Sequence, residues 1–186
     1  MNKIVNFTRA DLATEKELKI IDNCFEEHIK CLTKRIIEAL LGLRGNQMGY
    51  RVDQLEHSLQ TATRALRDGS DQETIVCALL HDIGEHLAPV NHGELAAAIL
   101  RPYVSPENAW IVQYHGIVQS DSYLHQLVLD GNEYKRLQEH PAFEQTIRFC
   151  HKWDQISFDP NYDTLPLSVF VPMLENVFSQ KVKCLS

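Results

Sequence analysis

A chain of 186 residues, 44% of them hydrophobic, is long enough for one domain with a sizeable core and room for a short extension. Lys and Arg total 18 against 25 Asp and Glu, a formal net charge of −7, which argues against a nucleic-acid or anionic-membrane surface as the main partner. Five cysteines with no CxxC spacing, no basic leader with an apolar run and no stretch near the ~18 apolar residues of a membrane span together predict a reduced, cytoplasmic protein.

Taken in chain order, the elements are helical throughout. From Asp11 to about Leu43 the apolar residues Leu18, Ile21, Phe25, Ile29, Leu32, Ile36 and Leu40 recur at helical spacing, with Asp11 as the expected cap. These residues form an N-terminal extension, 1–45, expected to pack on the core. Gly42 to Tyr50 carries three glycines and reads as a loop. Val52 to Arg67 is the next helix, and Gly69 suits the left-handed position after its end. Ser70 or Asp71 caps a further helix running to His81-Asp82. Asn91 opens a short helix stopped at Pro102, and Ser105-Pro106 starts another that carries Trp110 and His115. Leu124 to Leu129 reads equally as helix or loop. Pro141 to Glu144 opens the helix bearing Asp154, and Leu167 to Phe178 forms the last. No repeat, low-complexity tract or alternating strand appears, so the fold class is all-α: a single helical bundle over 46–186 with metal ligands on several helices.

The chemistry concentrates at His81-Asp82, two adjacent metal-binding side chains at the end of the apolar run Ala78-Leu79-Leu80. About 100° apart around a helix, they can reach different sides of one ion, and the carboxylate's second oxygen can bridge to another. His57, His92, His115 and Asp154 bring the candidates to six, one or two per helix. An imidazole and carboxylate set without thiolate favours iron, manganese or zinc. A core histidine bonded to backbone is the competing account of His57, and Lys152 or Arg148 can compete with a metal for Asp154. Asp82 is harder to explain without a cation, because an unpaired buried carboxylate costs several kcal/mol. Glu85 and His86 stand as outer-shell candidates, whereas His28, His125 and His140 read as solvated. No Gly-x-Ser-x-Gly elbow surrounds Ser58.

The order His57, His81-Asp82-Ile83-Gly84, His92, His115, Asp154 resembles the ligand set of the HD-domain superfamily. More narrowly, Gln54 to Ala62 and Arg148 to Asp154 are similar to the first and last ligand helices of its mixed-valent diiron oxygenase branch, which contains 2-amino-1-hydroxyethylphosphonate oxygenase and myo-inositol oxygenase. The resemblance covers roughly Gly49 to Phe178. It implies that His57, His81, Asp82 and Asp154 hold one iron and that Asp82, His92 and His115 hold the other, as an Fe(II)/Fe(III) pair or with manganese or zinc instead. It further implies that Asp82 and His115 are catalytic, and that O2 is used to cleave a C–P or C–C bond in a small hydroxylated substrate such as a 1-hydroxyphosphonate. Tyr50, Gln119, Arg148, His151 and Lys152 occupy or neighbour the substrate-contact positions of the branch. Gln119 stands where the phosphonate enzymes place a lysine, Gln47 and Tyr50 where they carry a tyrosine and a glutamate, and His151 where they carry an arginine. The rival expectation is the commoner chemistry of HD domains, hydrolysis of a small phosphoester without oxygen. A third is a sensor or scaffold that keeps the metal core.

Overall fold

The computed structural model describes residues 4–120, 131–180 and 182, and every regular element among them is helical. The Leu124 to Leu129 stretch and His125 lie outside the described residues. The chain divides into two compact units, Met1–Ile37 and Glu38–Ser186. In the first, a 3-10 turn at Ala10–Leu12 precedes α1, Glu15–Lys30. Its cap is Thr14 rather than Asp11: Glu17 N–H donates to the Thr14 hydroxyl while the Glu17 carboxylate accepts from Thr14 N–H, a reciprocal box that satisfies two otherwise orphaned donors. Asp11 instead pairs with Arg9. A second helix, α2, spans Leu32–Leu41.

The second unit is built around α4, Gln72–Leu80, whose Ile75, Val76, Cys77, Ala78, Leu79 and Leu80 are all buried. Six buried residues in succession leave no solvent face, so a helix with this pattern must be surrounded. Its neighbours are α3, Gln54–Arg67, then α6, Pro106–Ser120, and α9, Leu167–Ser179. Phe170, Leu174 and Val177 of α9 supply part of that shell. The remaining helices are α5, His92–Leu100, α7, Gly131–Gln138, and α8, Phe143–Phe149, which continues as a π-helical turn over Cys150–Asp154.

The starts and stops follow local chemistry. Asp53 caps α3 through Glu56 N–H at 2.8 Å, and its second oxygen accepts from Gly45 N–H at 2.8 Å, so one carboxylate ties the glycine loop to the helix start. After α3, Gly69 takes φ +77°, and Ser70 N–H donates to Ala65 C=O at 3.1 Å, closing the helix as its glycine predicts. Asp71 caps α4 through Thr74 N–H at 2.8 Å. The α6 helix runs on past His115 to Ser120.

Candidate metal centre

Four histidines enter one site from four different places. His57 projects from the first turn of α3, His81 from the residue after α4, His92 from the start of α5 and His115 from the middle of α6. Asp82 follows α4 directly, and Asp154 closes the π-helical turn, where Gln155 N–H reaches back five residues to Cys150 C=O at 2.9 Å. A π turn rotates the residue that ends it relative to an α-helix and is frequent at functional sites. All except His92 are buried.

Each imidazole is held by its Nδ1. His57 Nδ1 lies 3.0 Å from Ser157 C=O, His81 Nδ1 2.9 Å from Ala78 C=O, and His115 Nδ1 2.7 Å from Val112 C=O. His92 Nδ1 lies 2.8 Å from the Glu85 carboxylate. Because these partners only accept, each Nδ1 is the donor, and each Nε2 is left as the atom that faces the centre. The Nε2 atoms of His57 and His81 stand 3.1 Å apart, and those of His92 and His115 3.3 Å. Ligands ~2.1 Å from one ion at roughly 90–110° to each other are separated by about 3.0–3.4 Å, so both spacings fit a shared cation.

Asp82 joins the two pairs. Its Oδ2 is 3.4 Å from Nε2 of His57 and of His81, whereas its Oδ1 is 3.1 Å from Nε2 of His115 and 3.4 Å from that of His92. Asp154 belongs to the first pair alone, with Oδ1 3.3 Å from His57 Nε2 and 3.7 Å from His81 Nε2. Its Oδ2 is buried without a hydrogen-bond partner, an orphan that a cation would satisfy. Three groups within the cluster could each hold a metal ion: His57 with His81 and Asp154, His81 with Asp82 and His115, and Asp82 with Glu85 and His92. Lys152 does not compete for Asp154: it pairs with Asp68 at 3.2 Å.

Without metal the cluster keeps protons instead. Burial opposes charging of His57, but the carboxylates of Asp154 and Asp82 outweigh it and lift its pKa to about 10. Burial likewise opposes charging of His92, and Glu85 and Asp82 raise it to about 9. Burial acts to raise Asp82 and Asp154, yet the surrounding imidazoles hold both below the ordinary carboxylate range. A histidine whose folded pKa lies above its ordinary 6.5 contributes stability fully below that value and loses it as pH rises through the folded pKa. Metal-free protein should thus lose thermal stability between pH 6.5 and about 10, while metal affinity climbs over the same window as those protons leave. Melting curves of chelator-treated and metal-reloaded protein across that range test this. A metal-free melting temperature that rises through the window contradicts it.

The segment after Asp154 completes the site, and α3 holds it in place. Gln60 donates to Asp159 C=O at 2.8 Å and accepts from Asp159 N–H at 3.3 Å, and Arg64 donates to Ile156 C=O at 2.8 Å. This fixes Ser157 C=O against His57 and lays the Phe158 ring on the His57 ring, centroids 4.2 Å apart. Tyr50 stacks on the other side of Phe158 at 4.3 Å. A cavity of about 450 Å³ opens onto the centre, lined by His57, Asp82, His92, His115 and Asp154 and by Met48, Tyr50, Gln54, Glu85, Gly116, Gln119, Gln155 and Phe158.

Of the residues the sequence suggests for substrate contact, Tyr50 and Gln119 line this cavity. Arg148 lines a separate, larger cavity of about 730 Å³, Lys152 is engaged with Asp68, and the His151 side chain is exposed. The walls of the larger cavity include Asp71 and Glu73, which already accept from Thr74, Ser105 and Asn108. Gln54, Gln155 and Phe158 are wall residues that sequence reasoning did not single out. Only their proximity in sequence to His57 and Asp154 hinted at them. Glu85 is both wall and support: by holding His92 Nδ1 it fixes that ring's tautomer. Glu85→Gln should weaken metal binding on the His92/His115 side about 10–100-fold and spare the His57/His81 side, as two-phase metal titration would show. Equal weakening of both phases contradicts this assignment.

Comparison with known proteins agrees with the geometry. Residues 55–143 match the HD domain family. The chain is also 26% identical, over a 177-residue alignment covering 76% of it and 90% of the relative, to the [1-hydroxy-2-(trimethylamino)ethyl]phosphonate dioxygenase (glycine-betaine-forming) of Leisingera caerulea. The span that matches the HD domain family includes His57, His81, Asp82, His92 and His115, and Asp154 lies beyond its end.

Proposed function

We propose that this protein is a dinuclear iron oxygenase that uses O2 to cleave a C–P or C–C bond next to the hydroxyl-bearing carbon of a small substrate. The observation that carries the reading is Asp82, whose two oxygens face two different histidine pairs. The relative from Leisingera caerulea bears the name of a phosphonate dioxygenase, which supports the same chemistry. A donor set of imidazole and carboxylate, without thiolate, suits iron, and iron supplies the one-electron exchange with oxygen that a redox-inert ion lacks.

The protein's own part is positioning. In this reading His57, His81, Asp82 and Asp154 would hold one ion and Asp82, His92 and His115 the other, which would have fewer protein ligands, and the cavity is lined by residues of both sets. Gly116 keeps that space clear, because a Cβ there would approach His92 Nε2 to 3.3 Å. Phe158 and Tyr50 shield the His57 side from water. A substrate hydroxyl entering the cavity would find room for coordination on the side with fewer protein ligands.

The test is to load the protein anaerobically with iron, oxidise it partly and follow oxygen uptake and the mixed-valent paramagnetic signal as hydroxylated compounds are added. Substrate-dependent oxygen consumption with a shifted signal is expected. Efficient turnover of generic phosphoesters under strict anaerobiosis, with no alcohol changing the signal, would replace this reading with a metal-dependent phosphohydrolase.

A further inference from the structure

A surface cleft of about 330 Å³ is lined by Arg64, Arg67, Asp68, Lys152, Trp153 and Tyr162, none of which lines the cavity over the metal centre. Three cations against one carboxylate give its walls a charge of +2, in a chain whose formal net charge is −7. Arg64 and Arg67 share one ring: their guanidinium carbons stand 3.8 and 5.2 Å from the centroid of Tyr162. Gathering like charges in this way is costly unless an anion lies beside them. The carboxylates at hand are committed or weak. Asp68 already accepts from Lys152 at 3.2 Å and from the Trp153 indole at 3.3 Å. Arg67 pairs with Asp163, whose side chain is 92% exposed, and so open a pair contributes little. Arg64 is half-buried, yet its guanidinium donates to uncharged oxygens, Ser157 Oγ at 3.2 Å and Ile156 C=O at 2.8 Å, and among the described residues no carboxylate pairs with it. A guanidinium has five N–H donors, so Arg64 keeps donors beyond these two bonds.

We infer that this cleft binds a small dianion of the phosphate class, either free or as the phosphoryl group of a larger molecule. Two guanidinium groups and an ammonium suit a tetrahedral oxyanion: arginine offers paired N–H donors to its oxygens, lysine adds a point charge, and a charge of −2 matches the +2 of the walls. Arg67 and Lys152, 41% and 46% exposed, are open to an incoming ligand. Lys152, whose place in the sequence suggests substrate contact at the metals, serves this cleft instead. The site stands apart from the oxygenase reading and does not depend on it.

The test uses zinc-loaded protein, diamagnetic and with its metal centre filled, and follows the indole N–H signals by NMR as sodium phosphate is added. The chain has two tryptophans, and Trp110→Phe identifies the signal of Trp153, whose N–H donates to Asp68 in the cleft. That signal should move saturably with phosphate and stay in place with sodium chloride at equal ionic strength. Arg67→Ala and Lys152→Ala should each weaken phosphate binding about five- to tenfold. Asp163→Asn, which releases Arg67 from its exposed partner, should strengthen it about threefold. Phenyl phosphate in a parallel titration separates the two sources: tighter binding than inorganic phosphate identifies a phosphoryl group on a larger molecule, and weaker binding identifies the free ion. A Trp153 signal that phosphate and chloride move alike overturns the inference. So does phosphate affinity that is undiminished in Arg67→Ala and Lys152→Ala and no higher in Asp163→Asn. Phosphate that binds only at the zinc ions leaves the Trp153 signal in place and counts equally against the cleft.

Discussion

Replacing Asp82 with alanine is expected to strip metal from both halves of the centre, whereas Asp154→Ala should empty only the half built on His57 and His81. The physical reason is the division of labour between the two carboxylates: Asp82 turns one oxygen to each histidine pair, and Asp154 reaches only the first. Removing an outer-shell partner of a metal ligand typically costs 10–100-fold in affinity, so loss of a shared ligand should exceed about a hundredfold at each ion. The Asp82 variant also leaves several imidazoles crowded at Nε2 distances of 3.1 and 3.3 Å with less negative charge between them. Metal content by elemental analysis should fall well below one ion per chain for Asp82→Ala and stay near one for Asp154→Ala. If both variants retain the same metal complement, Asp82 is not a bridge.

A second large effect is expected at a residue with no chemistry of its own. A Cβ on Gly84 would lie 2.4 Å from His92 C=O and 2.8 Å from His92 Cα, closer than real contacts allow and against backbone that cannot step aside. Gly84→Ala should push the start of α5 away from the centre, carrying His92 with it, at a cost of ~1–3 kcal/mol or more in stability. Metal content should drop from about two ions toward one, with the His57/His81 side retained. Gly93→Ala provides a comparison: its Cβ would meet Gln113 C=O at 2.8 Å and Val112 C=O at 2.9 Å, where α5 and α6 approach each other. That variant moves His92 and His115 apart together and should lower the melting temperature as well as the metal stoichiometry. Full metal occupancy with an unchanged melting temperature in both variants would mean that the backbone contact has no part in placing His92.

Much of this architecture is written locally. The ends of α3 and α4 follow from Asp53, Gly69 and Asp71, each of which makes the cap or left-handed turn that its side chain or missing Cβ favours. The six residues that cluster were legible because metal chemistry restricts which residue types could serve, and because Asp82 sits in an apolar stretch where a free carboxylate would be costly. At the N-terminus, Asp11 and Thr14 are both good caps, and only the reciprocal bond with Glu17 selects Thr14.

What the sequence could not settle depended on residues distant along the chain. Two histidines 24 positions apart, His57 and His81, meet at Nε2, and each is oriented by a different backbone carbonyl, one of them 100 positions away at Ser157. Arg148, His151 and Lys152 precede Asp154 closely enough to suggest substrate contact, but the turn they occupy sends Lys152 to Asp68 and leaves His151 in solvent. Gln60 is an ordinary helix residue until Asp159 folds back onto it and brings Phe158 over His57. Residue types and spacings therefore named the histidines and aspartates that the fold brings together, because their candidacy depends on side-chain chemistry. Packing alone decided how Asp82 divides its oxygens, which residues wall the cavity and why Gly84 must lack a side chain, because each of these is a contact between segments that the chain order keeps apart.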